Sequence, residues 1–187
     1  TNNRIIFLAE TIDGNLWCKT YDSKAYIFDR QKEIFYDVLR PIETDIQRNN
    51  RVKQIYPLSD GIAWVVCENG DCFRVNELTY KDKEGIKLYS PFNGQLKGNR
   101  IFGIFQDSDK DEWILTDKGI TILGNKKADS DFPFKAIHEH GKEIYLISTS
   151  EKLATYVPQN GTIKFIEIPY SFGSLHGMKT LRENYLA

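Results

Sequence analysis

The chain has 187 residues, 41% of them apolar, 27% charged and 13% aromatic, with a formal net charge of −1. These fractions are ordinary for a folded chain and argue against disorder, while the interspersed acids and bases exclude a nucleic-acid footprint or a polybasic membrane surface. No apolar run approaches the length of a membrane span, and the chain opens on Thr1-Asn2-Asn3-Arg4 without a start Met or a signal segment, so it reads as an excised piece of something longer.

In chain order, Arg4 to Ala9 is strand-like, Asp13-Gly14-Asn15 is a turn, and Leu16 to Thr20, Lys24 to Phe28 and Glu33 to Leu39 are three further strand-like runs. The pattern then begins again. Val52 to Leu58, Ala63 to Cys67, Cys72 to Val75 and Ile86 to Tyr89 form a second set, and Phe134 to His138, Ile144 to Ser148, Leu153 to Val157 and Ile163 to Ile168 form a later one. No stretch carries a helical period capped at both ends, so minimal helix is expected.

The copies share one register. Asn3-Arg4-Ile5, Asn50-Arg51-Val52 and Asn99-Arg100-Ile101 open three of them, and a Trp stands nine residues after the last aliphatic of the first run: Leu8 to Trp17, Ile55 to Trp64, Ile104 to Trp113. In the fourth, Tyr145 replaces Trp and the turn is one residue shorter; a fifth begins at Met178. The aliphatic anchor recurs at intervals of 47, 49, 33 and 44 residues along Leu8, Ile55, Ile104, Ile137 and Leu181, mostly within the range of β-propeller blades. The second run of each copy is apolar on both faces, as in Trp64-Val65-Val66 and Trp113-Ile114-Leu115, so each sheet must be covered on both sides.

The expected fold is therefore all-β, a β-propeller fragment of four blades over 4–48, 49–97, 98–131 and 132–174, with the first strand of a fifth in 175–187. Trp17, Trp64, Trp113 and Tyr145 are expected at equivalent, mostly buried sites on the second strands. Only ten residues separate Leu123 from Phe134, so the third blade should lack its outermost strand or keep a vestige of it.

The stretch from Ile104 to Ile120, Ile-Phe-Gln-Asp-Ser-Asp-Lys-Asp-Glu-Trp-Ile-Leu-Thr-Asp-Lys-Gly-Ile, resembles the two-component regulator propeller repeat. That pattern has Asp-Ser-Asp-Gly, a Trp between hydrophobic residues, then Gly-Thr and a later Gly with an aliphatic. Lys110-Asp111 and Leu115 depart from it; the first copy keeps Asp13-Gly14-Asn15-Leu16-Trp17 and Thr20, and the second Asp60-Gly61 and Trp64. The resemblance implies paired propellers in the extracytoplasmic, periplasmic region of an inner-membrane sensor histidine kinase, of the hybrid type found in gut Bacteroidetes, responding to glycan fragments. It implies a piece that is not itself an enzyme and uses no cofactor. Its partners would be an oligosaccharide, the remaining blades and downstream kinase domains, and a second copy in a homodimer, with no nucleic acid. A protein-interaction scaffold and a propeller lyase or glycosidase are the alternatives, because fold does not decide function.

Individual residues carry further expectations. Arg4, Arg51 and Arg100 recur where the first strand enters a propeller's central channel, so they read either as part of an anion-binding rim for carboxylates or sulfates, or as local partners of acids in the neighbouring blade. Asp107, Asp109 and Asp111 alternate like the start of a calcium loop but lack its Gly and distal Glu, with Lys118 in the twelfth position; the competing reading is an acidic hairpin turn. His138 and His140 share one strand face without a nominated third ligand, so no metal site is expected. Cys67 and Cys72 flank Glu68-Asn69-Gly70-Asp71; a two-residue Asn-Gly turn would set them opposite each other, within reach of a disulfide, and two buried thiols are the alternative.

Overall fold

The computed structural model describes residues 4–42, 51–128 and 130–167. Among them, four antiparallel sheets follow one another along the chain, each a meander of consecutive strands. The first holds β1 (Ile5–Glu10), β2 (Leu16–Thr20), β3 (Ala25–Asp29) and β4 (Ile34–Asp37); the second β5 (Val52–Pro57), β6 (Ile62–Cys67), β7 (Cys72–Asn76) and β8 (Ile86–Tyr89). The third has three strands among the described residues, β9 (Ile101–Gln106), β10 (Glu112–Thr116) and β11 (Gly119–Leu123), as the short 33-residue interval requires. The fourth holds β12 (Phe134–His140), β13 (Glu143–Ser148), β14 (Leu153–Val157) and β15 (Thr162–Phe165). Among the described residues, helix is confined to single 3-10 turns at Arg40–Ile42, Lys83–Gly85 and Pro91–Asn93. None of the described helices is long and apolar enough to cross a membrane. The expected fifth first strand lies outside the described residues.

Strand pairing confirms the repeat register. Trp17 faces Ala9, Trp64 faces Tyr56, Trp113 faces Phe105 and Tyr145 faces His138, in each case the residue after the aliphatic anchor. A second regularity has no signature in the sequence. Each of the four described first strands carries a bulge two residues before its anchor, which leaves Ile6, Lys53, Phe102 and Lys135 out of the ladder. An extra residue bends its strand and strengthens the local twist, and it reverses which face the preceding side chains occupy.

The chain divides into two compact units, Thr1–Leu96 and Lys97–Ala187. In the first, the face of the first sheet carrying Trp17, Ile27 and Ala25 packs on the face of the second carrying Ile55, Val65, Phe73 and Val75. Trp17 is fully enclosed, and its indole N–H donates to the Glu77 carboxylate of the second sheet, which also accepts the Ile12 backbone N–H at 2.8 Å. In the second unit Trp113 is likewise enclosed, its ring edge-on to Tyr156 of the fourth sheet at 5.0 Å between centroids. Trp64 is also fully buried, with Tyr89 of its own sheet 4.9 Å away. Tyr145 differs: it is half-buried, and its hydroxyl donates to Glu143 at 2.6 Å. A phenol wants a partner for its hydroxyl, and this one finds it on an exposed carboxylate at the strand edge.

The Cys67–Cys72 hairpin corrects the sequence expectation. Cys67 lies opposite Asp71, with the Cys67 N–H donating to the Asp71 carbonyl at 2.8 Å, and Cys72 lies opposite Val66. The loop has three residues, Glu68-Asn69-Gly70, with Gly70 at φ +89°, so the register moves by one and the cysteines are not cross-strand partners. Both are free and buried; burial first, then the neighbouring acids, pushes the Cys67 thiol up to about 12, and burial raises Cys72 as well.

Candidate functional site

The bulged first strands fix the three arginines in equivalent backbone positions. The residue after each second strand donates its N–H to the carbonyl of the residue opening the first: Tyr21 to Arg4 at 2.8 Å, Glu68 to Arg51 at 2.9 Å, Asp117 to Arg100 at 3.0 Å and Thr149 to Pro133 at 3.0 Å. Among the described residues, the side chains find their partners inside their own sheets. The Arg4 guanidinium lies 4.6 Å from the centre of the Tyr21 ring, Arg51 pairs with Glu68 at 3.1 Å, and Arg100 lies over Phe102 at 5.2 Å while its backbone N–H donates to Asp117 at 3.1 Å. All three arginines are exposed. Exposed pairs and stacks of this kind contribute about 0–1 kcal/mol each.

At the turn joining β9 to β10, the alternating aspartates form a cage around an ammonium. Asp107 is the organiser: one carboxylate oxygen accepts the backbone N–H groups of Asp109 at 3.0 Å and Asp111 at 2.9 Å, and the other accepts the Trp113 indole at 2.8 Å. Lys126 Nζ lies 2.9 Å from Asp107, 2.6 Å from Asp109 and 3.3 Å from Asp111, so its three donors meet three carboxylates. The turn is thus an acidic hairpin whose cation is a lysine of the same chain. Burial opposes the charge on Lys126, but the hydrogen bonds it donates to Asp109, Asp107 and Asp111 and the attraction of Asp107 outweigh it and leave its pKa above the ordinary value. Asp109 is lowered by its bond to Lys126.

Lys126 reaches the cage because the chain after β11 is tied to Asp111, whose carboxylate accepts the N–H of Asn125 at 2.6 Å and of Lys126 at 3.1 Å. Gly124 permits this approach: at φ +147° a Cβ would collide with the Asp111 carboxylate. From the fourth sheet, Glu139 accepts the Ser108 N–H at 2.8 Å and its hydroxyl at 2.7 Å. The Glu77 contact with Ile12 does the same for the β1–β2 turn. Sequence reading missed Lys126, Glu77 and Glu139; the one available signal was a Lys-Lys pair close behind an acidic turn.

Beside each of these turns lies a groove between adjacent sheets. In the second unit it measures about 690 Å³ and is lined by Asp111, Asn125, Lys126, Tyr156, Gln159 and Asn160 among others. In the first unit the corresponding groove, about 580 Å³, lies against Asn15, Gln31, Lys32, Glu77, Tyr80 and Lys81. The floor tyrosines are buried, and desolvation pushes Tyr80 up to about 12. His138 and His140 sit opposite Tyr145 and Glu143 on the β12–β13 ladder, and no cluster of metal-ligating side chains forms among the described residues.

No protein-family model matches the chain, and no curated protein does. Solved structures do. The extracellular domain of the hybrid two-component system BT3049 from B. thetaiotaomicron superposes with a TM-score of 0.61 at 16% identity, over 91% of this chain and 25% of that one. The extracellular domain of BT4673 from the same organism gives 0.56 at 16%, over 87% and 22%. BamB from Moraxella catarrhalis, a propeller, gives 0.53 at 12%, over 84% and 50%. The fold is a β-propeller. The chain spans about a quarter of the length of the two B. thetaiotaomicron domains it matches. At these identities the likeness carries the arrangement of strands, and the four meander sheets are blades in that sense.

Proposed function

We propose that this chain is a stretch of the extracytoplasmic sensing propeller of a two-component histidine kinase, non-catalytic in itself, and that the complete sensor answers a glycan fragment. One observation carries the reading: the repeat register, with its Asp-Ser-Asp turn and enclosed Trp, forms blades whose fold is held by the extracellular domain of a two-component system over 91% of this chain. The chemistry of the described residues supports it. The aspartates of the β9–β10 turn are committed to Lys126, Glu77 and Glu139 to turns, and the arginines to surface partners. Such a molecule recognises and transmits, with the loops of its blades as the reading surface.

The test is made on the complete protein in membranes. A reporter fused next to the propeller should register an extracytoplasmic location, and the kinase should change its autophosphorylation when an oligosaccharide panel is added. A cytoplasmic propeller, or a complete protein without kinase machinery, refutes the reading.

A further inference from the structure

We propose that the groove between the third and fourth blades binds an uncharged, polyhydroxylated ligand, a short neutral oligosaccharide. This rests on the sensor reading above and gives that sensor's ligand a place and a charge class. The cleft, about 690 Å³, falls within the roughly 300–1,000 Å³ of small-ligand sites.

Its charges balance, two acids against two lysines along the lining. Asp109 and Asp111 stand against Lys126 and Lys127 along the lining, and the Lys126 ammonium is saturated by three carboxylates at 2.6–3.3 Å. A sulfate or carboxylate entering here would compete with Asp107, Asp109 and Asp111 for that ammonium and would meet their repulsion. Among the described residues, the side-chain amides of Asn125 and Gln159 have no hydrogen-bond partner, and both line the groove. An amide offers two donors and an acceptor, which matches hydroxyl groups that donate and accept in turn. The opposite walls are fixed beforehand. Asp111 holds the Asn125 and Lys126 backbone, the Tyr156 hydroxyl donates to the Lys127 carbonyl at 3.0 Å, and Asn160 accepts the Thr162 N–H at 3.1 Å. Binding therefore orders little of the chain, which favours affinity.

The first unit repeats the chemistry independently. Its groove sets Asp13, Asp29 and Glu77 against Arg30, Lys32 and Lys81, and leaves the Gln31 amide without a partner among the described residues. Charge balance at two grooves built from different residues is what a reader of neutral ligands needs; a reader of anions would carry a net positive lining.

The test titrates the complete sensor by calorimetry with maltotriose, xylotriose and mannotriose, and with a sulfated heparin fragment, at low and physiological salt. The proposal expects a neutral trisaccharide to bind with affinity insensitive to salt, and Asn125→Ala with Gln159→Ala to weaken it about tenfold, roughly what two lost hydrogen bonds amount to. Near-UV dichroism of the variant should stay unchanged, since both side chains are exposed. Binding by none of the neutral probes, or unchanged affinity in the folded double variant, overturns the proposal. So does tight, salt-sensitive binding of the sulfated fragment that Arg51→Ala and Arg100→Ala abolish. In that last case the kinase would still respond and the sensor reading would stand with its site on the arginines. A propeller without a kinase sinks the sensor reading whatever the groove binds.

Discussion

Replacing Lys126 with Met removes the ammonium from the acidic turn while keeping the length of the side chain, so it isolates the charge. Asp107 and Asp111 have side chains 0% and 2% exposed, and Lys126 is 17% exposed, which places most of this network out of water. Removing one partner of a buried ion pair costs about 3–5 kcal/mol, because the remaining charge is stranded. Here each of the two buried carboxylates keeps other donors: two backbone N–H groups and the Trp113 indole on Asp107, and two backbone N–H groups on Asp111. The loss should therefore sit at the low end, about 3 kcal/mol. For a chain of this size that corresponds to about 6–12 °C in its melting temperature. The assay is thermal denaturation paired with native-state hydrogen exchange at the N–H groups of Asp109, Asp111, Asn125 and Lys126, which should lose protection first. Asp107→Asn combined with Lys126→Met should recover part of the loss by removing a stranded charge. The pH profile has a defined sign. Asp109 is lowered from 3.8, so its contribution is full above that value and is lost as pH falls through the lower folded pKa. Lys126 is raised, so its contribution is full below the unfolded lysine pKa and fades only in strong alkali. A Lys126→Met loss below about 1 kcal/mol, within twice the range of ordinary surface changes, would refute the cage as a stabilising device.

Two further outcomes test the core. Truncating Trp64 to Ala, where the ring is 0% exposed, should cost about 3–5 kcal/mol by chemical denaturation, and a cost near zero would mean that the second-strand Trp is not a packing site. Cys67, held up at about 12, and the equally buried Cys72 should react with a disulfide reagent at pH 8 no faster than the chain opens; rapid modification of the native protein would contradict their burial.

The parts of this fold that were legible in the sequence are those carried by large residues at fixed spacing. A Trp nine residues after an aliphatic marks the second strand in three copies, and pairing in all four sheets places it, or Tyr145, beside the anchor. The bulges were not legible. Ile6 and Phe102 are apolar and Lys53 and Lys135 are lysines, so no one residue type marks the position, because a bulge on a strongly twisted strand is a backbone property that almost any side chain tolerates. The Cys67–Cys72 hairpin misled for a related reason. Asn-Gly is the dipeptide of a two-residue turn, but a Gly in the left-handed region also closes a three-residue loop with a bulge, and here Asn69 bonds both the N–H and the carboxylate of Asp71 to hold that form. The arginines recur in sequence and in backbone position, yet their partners differ, Tyr21, Glu68 and Phe102, so spacing located them and said nothing of what they touch.

The acidic turn shows why the third blade had to be read in three dimensions. Its sequence resembles half a calcium loop, and its backbone behaves like one, with Asp107 gathering the N–H groups of residues two and four further on. What completes it comes from the far side of the sheet. The third blade has three strands among the described residues, so the chain leaving β11 does not turn back into a ladder; Gly124 lets it pass close against Asp111, and Lys126 drops into the cage. In the other blades a fourth strand covers this edge through backbone pairing. Here Ile120 donates to the Ser130 carbonyl at 3.4 Å, and charge on side chains does the rest. The shortened repeat and the unusual Asp-Ser-Asp-Lys-Asp turn are therefore one feature: a blade with three strands among the described residues ties its outgoing chain down with an ion network, and the same network lines the groove beside it.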